Sequence, residues 1–400
     1  MSLCKNAELQ TKCNMPGLPV SSFSTLTILE GKHFLNTEDI KFKKISVSYS
    51  YLDEWLDIHA FDFGDWINQN PQQINEVTIK YCIPKAIKAQ ISNDLYLEIV
   101  FRPQFNFATS GQQFANINQR IFVNVYFSTT KSYDEIMGIH GKIKDFISLA
   151  VLESSKVLSL EADIAEETTG EAQSDLKDPI KVFYKPSQTE LGPKKLSPYT
   201  MLFKYNDISD NFESYLKKWF ENANNLKPMY DLYFGIIHPS NMYVDHKFLS
   251  LMQALETYHR RILGGNELSE NHHNKRILEI LTAVPDQYRQ RLEEKLKYSN
   301  ELSLRKRMKE LLGRHSDVMS MYISDLTDFK NKAVDTRNYM THYDLSLKDK
   351  ASKGADLWKL VKELEILVEV CLLSETGFTN AQIKNLFQRT QRYKFLNQAT

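Results

Sequence analysis

The stretch DLWKLVKELEILVEVCLLS, residues 356–374, decides the fold of the C-terminal half of the chain. Its apolar residues recur every three or four positions, as on one side of a helix: Leu357, Leu360, Val361, Leu364, Leu367, Val368, Cys371 and Leu372. The apolar face that they form is wider than one neighbouring helix would cover. The stretch therefore predicts the central helix of a helical bundle.

The helical period continues on both sides of this stretch. Further helices are expected over 212–219, 248–262, 273–282, 286–298, 300–313, 316–342 and 380–390. The second of these should stop at Gly264 and Gly265. Eleven of the twelve prolines precede residue 240. Because proline is excluded from helix interiors, the residues after it are free to be almost entirely helical.

The N-terminal part has a period of two, which is typical of half-buried strands. Strands are expected over 77–81, 95–101, 121–127, 181–184 and 200–205. One helix is expected over 132–150, and the acidic stretch 160–179 is interpreted as a solvated loop. The sequence thus predicts an α+β protein, with a β-rich, sandwich-like domain over 1–205 and an all-helical domain over 206–400.

The charges exclude two classes of protein. The 50 Lys and Arg residues balance the 50 Asp and Glu residues, which excludes a strongly basic nucleic-acid coat and a highly charged disordered chain. Residues 241–400 nevertheless hold 26 Lys and Arg against 21 Asp and Glu. The densest basic run is interpreted as a solvated helix face. The alternative is that Arg305, Lys306, Arg307 and Arg314 contact an RNA backbone.

The cysteines and the hydropathy indicate a cytoplasmic protein without a metal or other cofactor. Cys4, Cys13, Cys82 and Cys371 are scattered and show no zinc-ligand spacing, so free thiols in a reducing compartment are expected. No window approaches about eighteen consecutive apolar residues, and the N-terminus lacks a basic segment followed by an apolar run. We therefore expect no membrane partner.

The candidate chemistry lies in Arg337-Asn338-Tyr339-Met340-Thr341-His342, at the end of the helix expected over 316–342. Arg337 continues the apolar stripe of that helix, and a guanidinium in such a position requires an anionic partner or a groove open to one. Histidine suits proton transfer near neutral pH, while arginine stabilises a charged transition state. This pair is sufficient to cleave RNA without a metal, because the 2′-hydroxyl supplies the nucleophile.

One ideal helix cannot aim both side chains at the same atom. Five residues separate Arg337 from His342, which places them about 140° apart around the helix axis and about 7.5 Å apart along it. Either the helix is distorted, or two copies of the segment meet across a homodimer of the helical domain.

Three polar residues crowd the helix expected over 248–262: Glu256, His259 and Arg260. Glu256 and Arg260 have the spacing of a favourable i,i+4 ion pair. We interpret the group as a structural salt bridge beside the core, or as a supporting shell around Arg337.

Three stretches resemble a known family, the HEPN superfamily of helical-bundle ribonucleases, and more closely its ApeA-like anti-phage branch. Arg337, Asn338 and His342 match the superfamily signature, FLSLMQALETYHRRILGG (residues 248–265) resembles the first bundle helix, and VSYSYLDEWL (residues 47–56) resembles the N-terminal domain. The resemblance implies a metal-independent nuclease, a site built by dimerisation, and abortive infection through attack on host RNA such as tRNA. It also implies an N-terminal domain that senses a phage-derived trigger. The competing hypothesis is a non-catalytic dimerisation protein in which Arg337 pairs with a structural carboxylate.

Overall fold

The computed structural model describes residues 2–12, 20–68, 70, 72, 74–107, 114–164, 178–184, 196–239 and 241–397. The chain divides into two compact units, Met1–Phe220 and Glu221–Thr400. The domain boundary expected after residue 205 remains a prediction. The acidic stretch is not a loop throughout, because residues 160–164 belong to a strand in which Leu160 and Ala162 are buried. Residues 165–177 lie outside the described residues.

The first unit is strand-rich. Its described strands are β1 (Ser2–Lys12), β2 (Val20–Glu30), β3 (Lys41–Tyr49), β4 (Phe61–Asp62), β5 (Lys80–Tyr81), β6 (Ile87–Ser92), β7 (Leu95–Phe107), β8 (Ala115–Ser132), β9 (Val157–Ile164) and β10 (Ile180–Tyr184). Two helices lie between them, α1 (Leu52–Leu56) and α2 (Tyr133–Val151). Eight of these strands form one antiparallel sheet in the order β1-β2-β10-β9-β3-β8-β7-β6, and β4 pairs with β5.

The long hairpin β7–β8 shows why the period of two predicts this sheet. Leu97 lies opposite Val125 and Ile99 lies opposite Val123, and all four side chains are buried. Helix α2 packs on β3 and β8. It begins at a capping box, in which the Ser132 hydroxyl accepts from the Glu135 amide while the Glu135 carboxylate accepts from the Ser132 amide. The predicted β-rich fold is therefore confirmed, but eight of its ten described strands pair into one continuous sheet rather than two stacked sheets.

Two expected strands differ from the structure. Only Lys80–Tyr81 pairs within 77–81, and Val77 and Ile79 are exposed. Residues 200–205 are not a strand, although Met201, Leu202 and Phe203 are buried. The amides of Leu202 and Phe203 instead donate to the carbonyl of Ala150 in the last turn of α2, at 2.8 and 3.2 Å. That carbonyl lies in the last turn, where it has no hydrogen-bond partner within its own helix. The amides of this irregular segment therefore supply its hydrogen bonds.

The second unit is helical. After α3 (Phe212–Asn225), which begins in the first unit, come α4 (Lys227–Ile237), α5 (Val244–Ile262), α6 (Glu270–Thr282), α7 (Asp286–Leu296), α8 (Leu304–Arg314), α9 (Ser316–Met319), α10 (Leu326–His342), α11 (Gly354–Thr376), α12 (Asn380–Arg389) and α13 (Gln391–Asn397). Helix α11 is buried on nearly all sides and packs against α5, α9, α10 and α12. The predicted central helix of a bundle is confirmed. No described helix is long and apolar enough to cross a membrane.

The helix expected over 316–342 is two helices, α9 and α10. Tyr322 and Ile323, between them, are buried, so the apolar stripe continues although the helix does not. The Asp325 carboxylate caps the second helix by accepting from the amides of Thr327 and Asp328, at 2.8 and 2.9 Å. Because α10 begins after this cap, its length and direction are set separately from α9.

Candidate active site

Helix α10 holds Arg337 at the edge of the bundle core. Phe329, Ala333 and Thr336 are buried on the inner side of the helix. The Thr336 hydroxyl accepts from the Ser352 amide at 2.9 Å, which ties α10 to the segment before α11. Arg337 follows directly, with 29% of its side chain exposed. The guanidinium is thus half-buried beside a well-packed part of the helix.

Glu256 on α5 is the carboxylate that faces Arg337. Its Oε2 lies 3.6 Å from Nη2 of Arg337, and its Oε1 lies 3.7 Å from Nη2 of Arg260. Arg260 also contacts Glu301 at 3.1 Å. The Arg337 Nη1 donates to Oδ1 of Asn338 at 3.3 Å. One carboxylate therefore bridges two guanidinium groups, and Asn338 accepts from the guanidinium of the residue before it.

Two clefts open on either side of the Glu256–Arg337 pair. The first has a volume of about 450 Å³ and is lined by Leu249, Met252, Gln253, Glu256, Thr257, Arg260, Arg337 and Thr341. The second has a volume of about 430 Å³ and is lined by Glu256, Ser303, Leu304, Arg305, Val334, Arg337 and Asn338. Glu256 and Arg337 line both clefts. An anionic group that entered either cleft would meet the Arg337 guanidinium.

His342 lies apart from both clefts. It is exposed in the last turn of α10, and Tyr343, in the left-handed region at φ 51°, ends the helix immediately after it. No described distortion brings its ring toward Arg337, because α10 is continuous from Leu326 to His342. The structure of one chain therefore places Arg337 and His342 on the same helix without bringing them together.

His259 is buried behind this region, and its tautomer follows from its partners. Its Nδ1 lies 3.4 Å from Nη1 of Arg307, and its Nε2 lies 2.7 Å from a carboxylate oxygen of Glu310. Arginine can only donate, so Nδ1 accepts and Nε2–H donates to Glu310. A histidine with no exposed surface and both nitrogens occupied holds α5 against α8 rather than meeting a substrate.

Arg307 corrects the expectation of a solvated basic run. Its side chain is 1% exposed, and it donates to the carbonyls of Leu302 and Gly265 at 2.9 and 3.3 Å. Burial, with the nearby charge of Arg260, lowers the pKa of this guanidinium, which remains protonated. Because the side chain points inward, it is not available to an RNA backbone in this structure.

The other three residues of the expected RNA surface have acidic partners. Arg305 contacts Asp335 at 2.7 Å, Lys306 contacts Glu267 at 3.4 Å, and Arg314 contacts Glu375 at 3.3 Å. These three side chains are partly exposed. Of these three residues, only Arg305 lines a cleft beside Arg337. The structure thus brings one residue of the basic run to the candidate site.

The interpretation of the sequence missed the polar lining of the clefts. Gln253, Thr257 and Thr341 line the first cleft, and Ser303 lines the second. On α5 the residues Gln253, Glu256, Thr257 and Arg260 follow one another at helical spacing, opposite the apolar stripe. That polar spacing in the sequence is a signal of the cleft lining.

Comparison with protein families finds two matches that together span most of the chain. Residues 6–219 match the model for ApeA N-terminal domain 1, and residues 249–382 match the model for Apea-like HEPN. The second match contains Glu256, Arg337 and His342. Comparisons with curated proteins and with solved structures found no match.

Proposed function

We propose that this chain, which belongs to the ApeA family and carries an Apea-like HEPN domain, is a metal-independent RNA endonuclease of bacterial anti-phage defence. Family membership supports a HEPN protein of anti-phage defence. The observation that supports nuclease activity is the half-buried Arg337 guanidinium, which opens on two clefts at the end of an otherwise apolar helix face. A fixed positive charge in that position suits a phosphate, since its planar fork matches phosphate oxygens.

In the proposed reaction the 2′-hydroxyl of the RNA attacks the adjacent phosphorus. The O–P bond to the 5′-oxygen of the next nucleotide breaks, and a 2′,3′-cyclic phosphate forms. His342 moves the proton from the attacking 2′-hydroxyl to the departing 5′-oxygen. Arg337 stabilises the negative charge on the phosphate, and Asn338 helps to hold the guanidinium. Every atom of this reaction comes from RNA or from these side chains, so no metal or cofactor is needed.

The proposed site is shared between two chains. His342 is exposed and lines neither cleft, so its ring can meet a phosphate bound to Arg337 when it is supplied by a second copy. A two-fold interface is self-complementary, and it would build two such sites in a homodimer of the helical domain. Glu256 and Arg260 would form the surroundings of each Arg337.

The enzyme acts in the bacterial cytoplasm on host RNA, with tRNA as one candidate. The N-terminal domain binds a phage-derived trigger, and cleavage then stops growth of the infected cell.

A non-catalytic dimerisation protein is the second candidate, and one observation favours it. Arg337 already has a carboxylate partner in Glu256, as that hypothesis requires. Two facts weigh against it. The two groups lie 3.6 Å apart, longer than a close charge-assisted hydrogen bond, and both remain partly exposed to the clefts.

Sequencing RNA ends after induction in a bacterial host tests the proposal. Wild-type protein should produce new RNA ends that are absent after induction of Arg337→Ala or His342→Ala at equal abundance. The same RNA ends in all three cultures would favour the dimerisation protein.

A further inference from the structure

The geometry points to a single groove for an RNA strand, made of the two clefts and closed at its midpoint by Glu256 in the resting protein. This inference rests on the proposed function, and it adds the path of the substrate and the group that blocks it. Single-stranded RNA would displace the Glu256 carboxylate from Arg337 and place a backbone phosphate there.

The clefts adjoin at one ion pair. Glu256 and Arg337 are the two residues that line both of them, whereas every other lining residue belongs to one. The pair is therefore the partition between two spaces of about 450 and 430 Å³. Once the carboxylate swings aside, the spaces are continuous across the face of the Arg337 guanidinium.

The ion pair that forms the partition is weak enough to open. The closest oxygen–nitrogen distances from Glu256 are 3.6 Å to Arg337 and 3.7 Å to Arg260, whereas direct ionic hydrogen bonds measure about 2.8 Å. Glu256 and Arg337 keep 28% and 29% of their side chains exposed. Partly solvated pairs with such geometry contribute little to stability, so a phosphate can replace the carboxylate.

Arg337 is the guanidinium that needs a new anion when Glu256 leaves. Arg260 keeps its contact with Glu301 at 3.1 Å, and Arg305 keeps Asp335 at 2.7 Å. Arg337 keeps the neutral amide of Asn338. The central guanidinium therefore offers the strongest site for an incoming phosphate, and the flanking arginines border the path of the strand.

The lining favours an unpaired strand. Each cleft has the volume of a pocket for one small organic group, which suits one nucleotide on either side of the central phosphate. Gln253, Thr257 and Thr341 offer hydrogen bonds in the first cleft, and Ser303 and Asn338 offer them in the second. Such groups can recognise 2′-hydroxyls and base edges that are splayed out of a stack. A duplex keeps its bases stacked and would not enter.

The test is RNA affinity in a background that cannot cleave. A fluorescently labelled, mixed-sequence single-stranded RNA is titrated with full-length His342→Ala and with His342→Ala/Glu256→Gln. The glutamine amide has the size of the Glu256 carboxylate but no charge. The dissociation constant for the single-stranded RNA should therefore be about tenfold lower with the double variant than with His342→Ala alone. Adding Arg337→Ala should abolish this gain, and the same RNA annealed into a duplex should show none.

Glu267→Gln in the same background is the matched control. Glu267 pairs with Lys306 at 3.4 Å and lines neither cleft, so its loss changes the net charge equally without opening the groove. Equal tightening of RNA binding by both substitutions would contradict the role of Glu256 as the partition. So would unchanged or weaker binding by the Glu256→Gln variant, provided that its melting temperature is unchanged. If the wild type cleaves RNA while Glu256→Gln fails to tighten binding, the proposed function stands and this inference falls. If no variant binds RNA, both fall.

Discussion

Arg337 and His342 lie five residues apart on one continuous helix, yet Arg337 lines two clefts and His342 lines neither. The first side chain is half-buried against Glu256, and the second is exposed beside the end of the helix. A site that uses both groups is therefore incomplete within one chain.

Arg337→Ala and His342→Ala should each lower RNA cleavage by about a hundredfold or more, since each removes one catalytic contribution. The fold should survive, because Glu256 retains Arg260 when Arg337 is removed and His342 is exposed. Thermal midpoints should stay within a few degrees of the wild type. Arg276→Ala and His246→Ala, both at exposed positions, serve as controls that keep activity. Unfolding of either site variant would identify a structural role instead.

Co-expressed Arg337→Ala and His342→Ala chains should recover part of the activity that each lacks alone. If a site draws its arginine from one chain and its histidine from the other, one of two sites in each heterodimer is intact. Random pairing makes half of the dimers heterodimers, so about a quarter of wild-type activity is expected. A cleavage assay on the purified mixture measures this. Absence of recovery in a folded, dimeric mixture would mean that each site uses a single chain.

The spacing of apolar residues predicts the fold well where one uninterrupted pattern corresponds to one helix or one strand. The stripe from Leu357 to Leu372 is the buried face of α11, and the alternation around Val123 and Val125 is a buried strand. The same reasoning failed at 320–325, because Tyr322 and Ile323 continue the stripe while Asp325 caps a new helix. The spacing of apolar residues shows which side chains are buried, but it does not show where the backbone hydrogen bonding of a helix is interrupted.

Only part of the candidate site could be predicted from the sequence, because the sequence pattern of one helix does not show which residues of another helix pack against it. An arginine on an apolar stripe requires an anionic partner or an open groove, and Arg337 has both. The identity of the partner depends on how α5 packs beside α10, and Glu256 precedes Arg337 by eighty-one residues. The burial of Arg307 has the same origin, since its partners are carbonyls at the ends of neighbouring segments. Such contacts depend on tertiary packing.

His315 should make the stability of the protein depend on pH. The residue is 1% exposed, and burial with the charge of Arg314 lowers its pKa to about 4 from an ordinary value of about 6.5. Between these values the unfolded chain binds a proton that the folded chain does not, so stability falls as pH falls from 6.5 to 4. The slope contributed is about 1.4 kcal/mol per pH unit. Denaturant titrations of wild type and His315→Gln should differ by this slope, and parallel curves would contradict it.

Arg392→Ala should destabilise the protein by about 2–4 kcal/mol, since it leaves the buried Glu369 carboxylate without a cation, whereas Glu365 keeps Lys362. Arg392 lies 3.2 Å from Glu369 and 2.5 Å from Glu365. Burial raises the pKa of Glu369, and Arg392 opposes that rise. The double variant Arg392→Ala/Glu369→Gln should regain part of the loss, because a neutral amide needs no counter-charge. Urea unfolding measures all three proteins, and equal stability of the single and double variants would exclude an electrostatic role.

The most direct test of the account is cleavage of end-labelled RNA by the purified wild-type protein in excess EDTA. The account predicts cleavage that leaves a 2′,3′-cyclic phosphate or its hydrolysed form, and no cleavage by His342→Ala under the same conditions. A strict requirement for magnesium, or equal cleavage by His342→Ala, would contradict the proposed chemistry of Arg337 and His342.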